Sequence, residues 1–167
     1  CSVMSTKYLG ETIDIHAGGQ DLMFPHHENE IAQTEAMTGK PFANYWMHNG
    51  YITIDNEKMS KSKGNFFTVR DILKHYDGEV IRYFLLSGHY RNPINFSDDL
   101  MEQSKNSLAR MRNAKANLLH LSENGSAEMS GAEKETLAGL AAYREQFRQA
   151  MDDDLNTADA ISAVFEL

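Results

Sequence analysis

ETIDIHAGGQDLMFPHHENEIAQ, residues 11–33, changes its pattern twice within a short span, and the architecture of the first part of the chain follows from those changes. ETIDIH (11–16) alternates Thr12, Ile13, Asp14 and Ile15 in the manner of a short strand. HAGGQD (16–21) then reads as a glycine-containing turn. Pro25 suits the first turn of a helix, where the N–H it lacks would have no partner. The spacing predicts a helix over 25–38, closed by Gly39 just past its last turn. Trp46 to Ile54 reads as a second strand. Strand, helix and strand in that order predict an α/β unit.

HHENE (26–30) sits at the start of that helix. His26 and Glu30 are four residues apart, so they project from one face about one turn from each other. An imidazole nitrogen and a carboxylate oxygen are both zinc ligands. The same spacing also fits an acid/base pair or an ordinary polar pair at an exposed helix start. Cys1 is the only thiol, and alone it reads as an inert cysteine. Together with His26 and Glu30 it makes a set of three donors, one short of a closed tetrahedral site. Gly18, Gly19 and Asp21 form a second cluster. Two glycines let the backbone come close to a ligand, and a following carboxylate can accept hydrogen bonds from ribose hydroxyls. Most such turns are only turns.

DNEKMSKSKGN (55–65) is a polar loop in which Lys58, Lys61 and Lys63 alternate with Ser60 and Ser62. Ammonium groups on such a loop can follow a polyphosphate as charge builds on it. The loop lacks the Gly-x4-Gly-Lys-Ser/Thr spacing of a Walker A motif. A solvated basic loop is the plainer explanation.

From Thr68 onward the pattern is helical. TVRD (68–71) has capping-box spacing, with Asp71 in the acidic role. A helix over 78–87 carries Val80, Ile81, Phe84 and Leu85 on one stripe and stops at Gly88. Asn92, Pro93 and Asn95 mark a break. Ser97 caps a long helix that Asp98 and Asp99 open, with Leu100, Leu108, Met111, Leu118 and Leu119 as its expected core stripe. SENGSAEMSG (122–131) reads as a linker, and a further helix sets Leu137, Leu140, Tyr143 and Phe147 on one face. DDDLNT (152–157) separates it from a final helix.

The totals bound the function. Hydrophobic content of 41% and charged content of 24% fit a soluble globular chain. No apolar run approaches the roughly 18 residues of a membrane span. A net charge of −8 excludes bulk attraction to nucleic acid, so any polyanion contact uses local basic patches. A lone cysteine excludes an internal disulfide framework and fits a reducing, cytoplasmic setting. The chain starts at Cys1 without an initiator Met and stops at Leu167 in an apolar helical stretch, so it reads as a piece of a longer protein.

KMSKS (58–62) resembles the second signature of class I aminoacyl-tRNA synthetases. GGQDLMFPHHENEIAQ (18–33), with Cys1 upstream and KMSKSKGNFFTVRDIL (58–73) downstream, is similar to the cysteinyl-tRNA synthetase family in particular. RYFLLSGHYRNPINFS (82–97) and DDDLNTADAISAVF (152–165) extend the resemblance over nearly the whole chain. It implies an α/β plus all-α fold. Residues 1–66 would be the C-terminal half of a Rossmann-like catalytic domain, 67–96 a helical stem, and 97–167 part of an α-helical tRNA-binding bundle. It implies one Zn2+ per subunit, with Cys1, His26 and Glu30 matching three of the family's four ligands and the fourth, a cysteine, lying in the N-terminal half. It makes Lys61 the ATP-binding loop lysine and Lys58 its supporting catalytic lysine. Gly18, Gly19, Asp21 and His16 would line the nucleotide, with His27 also on the active-site floor. The implied partners are L-cysteine, ATP with Mg2+ and tRNA(Cys), with no membrane. Gln20 stands where the family often has Ser, and Ala17 where Gly or Cys is common. Lys105, Arg110, Arg112 and Lys115 could meet an RNA backbone or form a solvated helix face. Two other functions share these residues: a ligase joining cysteine to an amino-sugar on the same fold, and a non-catalytic zinc- and RNA-binding module.

Overall fold

A computed structural model describes residues 1–54, 56–60, 62, 64–125 and 128–167. They fall into two compact units, Cys1–Thr53 with Tyr90–Ile94, and Ile54–His89 with Asn95–Leu167.

The first unit opens with α1 (Ser2–Leu9), which the sequence pattern did not announce. Val3, Met4, Tyr8 and Leu9 are all exposed and only Ser2 is buried, so the helix has no periodic apolar face to read. Strand β1 (Ile13–Gly19) runs further than ETIDIH, because HAGG stays extended and pairs instead of turning. A tight turn (Gln20–Leu22) and a wider one (Met23–His27) lead into α2 (Glu28–Thr38). Regular helical bonding therefore starts later than Pro25. Phe24 is held extended at φ −134°, as the residue before a proline prefers, and Pro25 begins the turn that the helix continues. Gly39 closes α2 at φ 69° and donates to the Glu35 carbonyl, the left-handed cap that glycine adopts without a Cβ clash.

Strand β2 (Ala43–Asn49) pairs with β1 in parallel, with Ile13 opposite Ala43, His16 opposite Trp46 and Gly18 opposite His48. A parallel pair needs a crossover, and α2 supplies it. The core of this unit holds Ile13 and Phe42, with Phe42 1% exposed. The predicted second strand is in fact two. The backbone leaves β2 at Gly50, whose N–H donates to the Tyr90 carbonyl at 2.7 Å, and β3 (Ile52–Ile54) joins a different sheet.

That sheet has the order β4-β3-β5, with β4 at Glu57–Lys58 and β5 at Ile94–Phe96. β5 lies where the sequence predicts a break, since Asn92 and Pro93 hide a three-residue strand behind turn-forming residues.

In the second unit α3 (Val69–Ile72) carries the expected capping box: Thr68 accepts from the Asp71 N–H and Asp71 accepts from the Thr68 N–H. Helix α4 (Gly78–Leu86) buries Val80, Ile81 and Phe84, whereas Leu85 is exposed, and it is capped by Ser87. Ser97 caps α5 (Asp98–Asn124) by accepting from the Leu100 N–H. The expected stripe of α5 is covered only in part. Met101 and Ser104 are buried, Leu100, Leu108 and Met111 are half-buried, and Leu118 and Leu119 are exposed. Helix α5 extends into the segment read as a linker. Helix α6 (Gly131–Asp152) then starts at a Ser130–Glu133 capping box and packs on α7 (Thr157–Glu166). No residue of α6 is buried: Leu140 and Tyr143 are half-covered, and Leu137 and Phe147 are exposed.

Candidate functional site

Four elements of the first unit converge on one group of side chains. In β1 and β2, residues two apart share a face of the sheet, so His16 and Gly18 lie beside Trp46 and His48. Helix α2 brings Glu30 to that face, and the turn before it brings His26 and His27. Cys1 stands just before α1, and the Ser2 hydroxyl meets Gln33 of α2 at 3.1 Å.

Glu30 is 4% exposed, and its two oxygens point to different partners. Oε1 lies 3.7 Å from His26 Nε2, and Oε2 lies 2.8 Å from His16 Nε2. The i,i+4 relation running from the turn into α2 thus sets His26 beside Glu30. Donor atoms of Cys1, His26 and Glu30 all lie within 4.8 Å of one another. Zinc–ligand distances of about 2.0–2.3 Å put tetrahedral ligands roughly 3.3–3.8 Å apart, so a small inward movement of exposed Cys1 and His26 fits these donors to that ion. His16, His27 and Glu30 form a second, overlapping set within the same 4.8 Å.

The His16 ring donates into Glu30. It also packs edge-on to Trp46 at 4.8 Å and to His27 at 4.9 Å. His27 is buried, and its Nδ1 lies 2.8 Å from His48 Nε2. Burial holds the His27 pKa below the ordinary imidazole value, and the neighbouring His16 and His48 push the same way. In that bond one ring nitrogen donates and the other accepts. Sequence reading missed His48. The signal available was its alternation with Trp46 on a strand, which places both on one face.

Gly18 has a local explanation. A Cβ at this position would lie 2.8 Å from the His27 ring, so the missing side chain makes room for that ring against β1. At Gly19 a Cβ would lie 2.5 Å from Asp21 Oδ1, so the exposed Asp21 folds back over the strand end. Gln20 Nε2 donates to the Arg91 carbonyl at 2.7 Å and ties the turn to the Tyr90–Ile94 segment.

The lysine loop belongs to the second unit. Lys58 is exposed on β4, and Lys61 lies outside the described residues. Ser60 N–H donates to Asn65 Oδ1 at 2.9 Å. On α5 most of the basic residues singled out have partners within the chain: Lys105 pairs with Glu102 at 3.2 Å, Arg112 with Glu79, and Arg110 lies over the Phe165 ring. Lys115 is exposed.

The chain shares its fold with two aminoacyl-tRNA synthetases of known structure. It superposes with a TM-score of 0.70 on a Mycobacterium tuberculosis methionyl-tRNA synthetase in complex with methionyl-adenylate, at 22% identity over 92% of this chain and 32% of that one. A ternary LeuRS–tRNA–LeuAMS complex from Agrobacterium radiobacter gives the same TM-score at 18% identity, over 92% of this chain and 22% of that one. The chain belongs to the family described as tRNA synthetases class I (C) catalytic domain, whose family model matches residues 1–106, and residues 146–167 match a DALR domain. It is similar to the cysteine--tRNA ligases of Symbiobacterium thermophilum and Clostridioides difficile, both 62% identical, and of Lachnospira eligens, 63% identical. All of this chain aligns in each case, and it spans 36% of the length of those relatives. Among the described residues no helix is long and apolar enough to cross a membrane.

Proposed function

We propose that this chain is the part of a cysteine--tRNA ligase that selects the substrate thiol and carries the ATP-responsive lysine loop. The observation that supports it most directly is the approach of Cys1, His26 and Glu30 donors to within 4.8 Å in a chain 62% identical to such ligases. Residues 1–66 would complete a catalytic nucleotide-binding fold, 67–96 form the stem, and 97–167 belong to the tRNA-binding bundle.

The chemical task is to take cysteine and refuse serine. An apolar pocket separates such isosteres by only about a hundredfold. A zinc ion held by Cys1, His26 and Glu30 would bind thiolate strongly and a serine hydroxyl poorly, which removes the need for a separate editing site. The chain's own residues do the rest by position. Glu30 is buried, so its carboxylate stays fixed in one direction. Gly18, Gly19 and Asp21 would border the nucleotide. Lys58 and Lys61 would follow the phosphates as the cysteine carboxylate attacks the α-phosphorus and pyrophosphate leaves, a reaction governed by positioning and charge stabilisation. The aminoacyl group then passes to a tRNA(Cys) hydroxyl and AMP is released. ATP enters with Mg2+, and the setting is the cytoplasm.

The test is cysteine- and serine-dependent pyrophosphate exchange by the full-length protein containing this chain, with and without bound zinc. Removing zinc is expected to collapse the cysteine-over-serine ratio. An unchanged ratio would overturn the thiol-selection reading. Lys61→Ala in the same assay is expected to slow activation by about 10²-fold or more while leaving cysteine affinity near its original value. An equal loss in both would count against the loop assignment.

A further inference from the structure

We propose that His16 is a positioning residue for the metal-ligating carboxylate, acting on Glu30 and not on the nucleotide. The proposal rests on the zinc reading of Cys1, His26 and Glu30.

Four observations carry it. Glu30 presents one oxygen to each side: Oε1 faces His26 at 3.7 Å, and Oε2 meets His16 Nε2 at 2.8 Å. A carboxylate oxygen only accepts, so His16 Nε2 carries the proton and the tautomer is set by its partner. His16 stands on β1 and Glu30 on α2, so the bond ties the helix that carries the carboxylate donor to the strand beneath it. Finally, the His16 ring has little freedom to leave, since Trp46 lies edge-on at 4.8 Å, His27 at 4.9 Å and Phe42 at 5.2 Å.

The physical consequence is a carboxylate whose second oxygen is already satisfied. Without the His16 N–H, Glu30 Oε2 would be left in a buried place with no donor, and the side chain would rotate to find one. Rotation about the same bonds moves Oε1 away from the place where His26 and Cys1 can share a cation with it. Partners of this kind, one bond removed from the metal, typically change affinity by about 10–100-fold when removed. A nucleotide contact made by the same nitrogen would require breaking the bond to Glu30.

The experiment measures zinc affinity by chelator competition in the full-length protein containing this chain, for the parent, His16→Leu and His16→Gln. Glutamine keeps an N–H at nearly the reach of Nε2, and leucine keeps volume without a donor. The expected result is a zinc affinity about 10–100-fold weaker for His16→Leu and largely restored for His16→Gln. The Co2+-substituted parent and His16→Gln should share one visible absorption spectrum, with that of His16→Leu shifted. KM for cysteine should rise in His16→Leu while KM for ATP stays within about twofold. Unchanged zinc affinity in His16→Leu overturns the proposal and leaves the zinc reading standing. A raised KM for ATP with normal zinc affinity also overturns it and returns His16 to the nucleotide. A parent protein that holds no zinc overturns both. Loss of all metal in both His16 variants would make His16 a ligand itself and overturn its positioning role.

Discussion

The β1–α2–β2 segment and helix α6 show how differently two periodic stretches can end up. In the first, the face that the sequence marks meets a second layer. Phe42 is 1% exposed, and His27, Glu30 and Thr34 are buried between helix and sheet. Helix α6 has an equally regular stripe of Leu137, Leu140, Tyr143 and Phe147, yet buries none of its residues. Periodicity tells which face is apolar; burial requires something for that face to meet. Where cover is only partial, as on α6 against α7, local devices such as the Ser130–Glu133 box carry more of the helix.

The largest effect should come from the packed region. Phe42→Ala is expected to cost about 3–5 kcal/mol in a urea melt followed by Trp46 fluorescence, whose ring centre lies 6.0 Å from that of Phe42. A change below about 1 kcal/mol would mean that this unit is not held by its core. Helix α5 contains both behaviours, so it sharpens the comparison within one element. Met101, 0% exposed, should cost about 2–5 kcal/mol on replacement by alanine. Leu118, 64% exposed, should change stability by no more than about 0.5 kcal/mol. Equal costs in circular-dichroism melts would break the distinction.

The smallest effect lies at the start of α6 and depends on pH. The Ser130 backbone N–H, joined by its side chain, holds the Glu133 pKa below the ordinary glutamate value. A folded-state pKa lower than the unfolded one gives stabilisation that is complete above the ordinary value of about 4.3 and is lost as pH falls through the folded value. Parent and Glu133→Gln should therefore differ slightly in helicity near neutral pH and converge in acid. A constant difference at every pH would assign the effect to shape instead of charge.

What was legible in the sequence was local. Gly39, the Thr68–Asp71 box and Ser97 act within one helical turn of where they stand, so spacing alone reveals them. His26 and Glu30 share a helix face for the same reason. Partnerships that depend on pairing between distant segments were not legible. His16 reaches Glu30, and His48 reaches His27, only because β1 and β2 align in one parallel register under α2. The apparent strand from Trp46 to Ile54 splits because Gly50 bonds to Tyr90, a residue far along the chain. Helix α1 escaped for the opposite reason: its apolar residues lie in water, and nothing in their order shows a buried face.

The contact between Gly18 and His27 has a consequence for inheritance. Every amino acid other than glycine carries at least a Cβ, and a Cβ at position 18 would lie 2.8 Å from the imidazole. Any missense change in that codon, however conservative by hydropathy, pushes on the same ring and, through it, on His48. Alanine at position 18 is therefore a graded perturbation of the residue opposite it on the neighbouring strand, thirty positions along the chain, delivered without touching that residue's own codon.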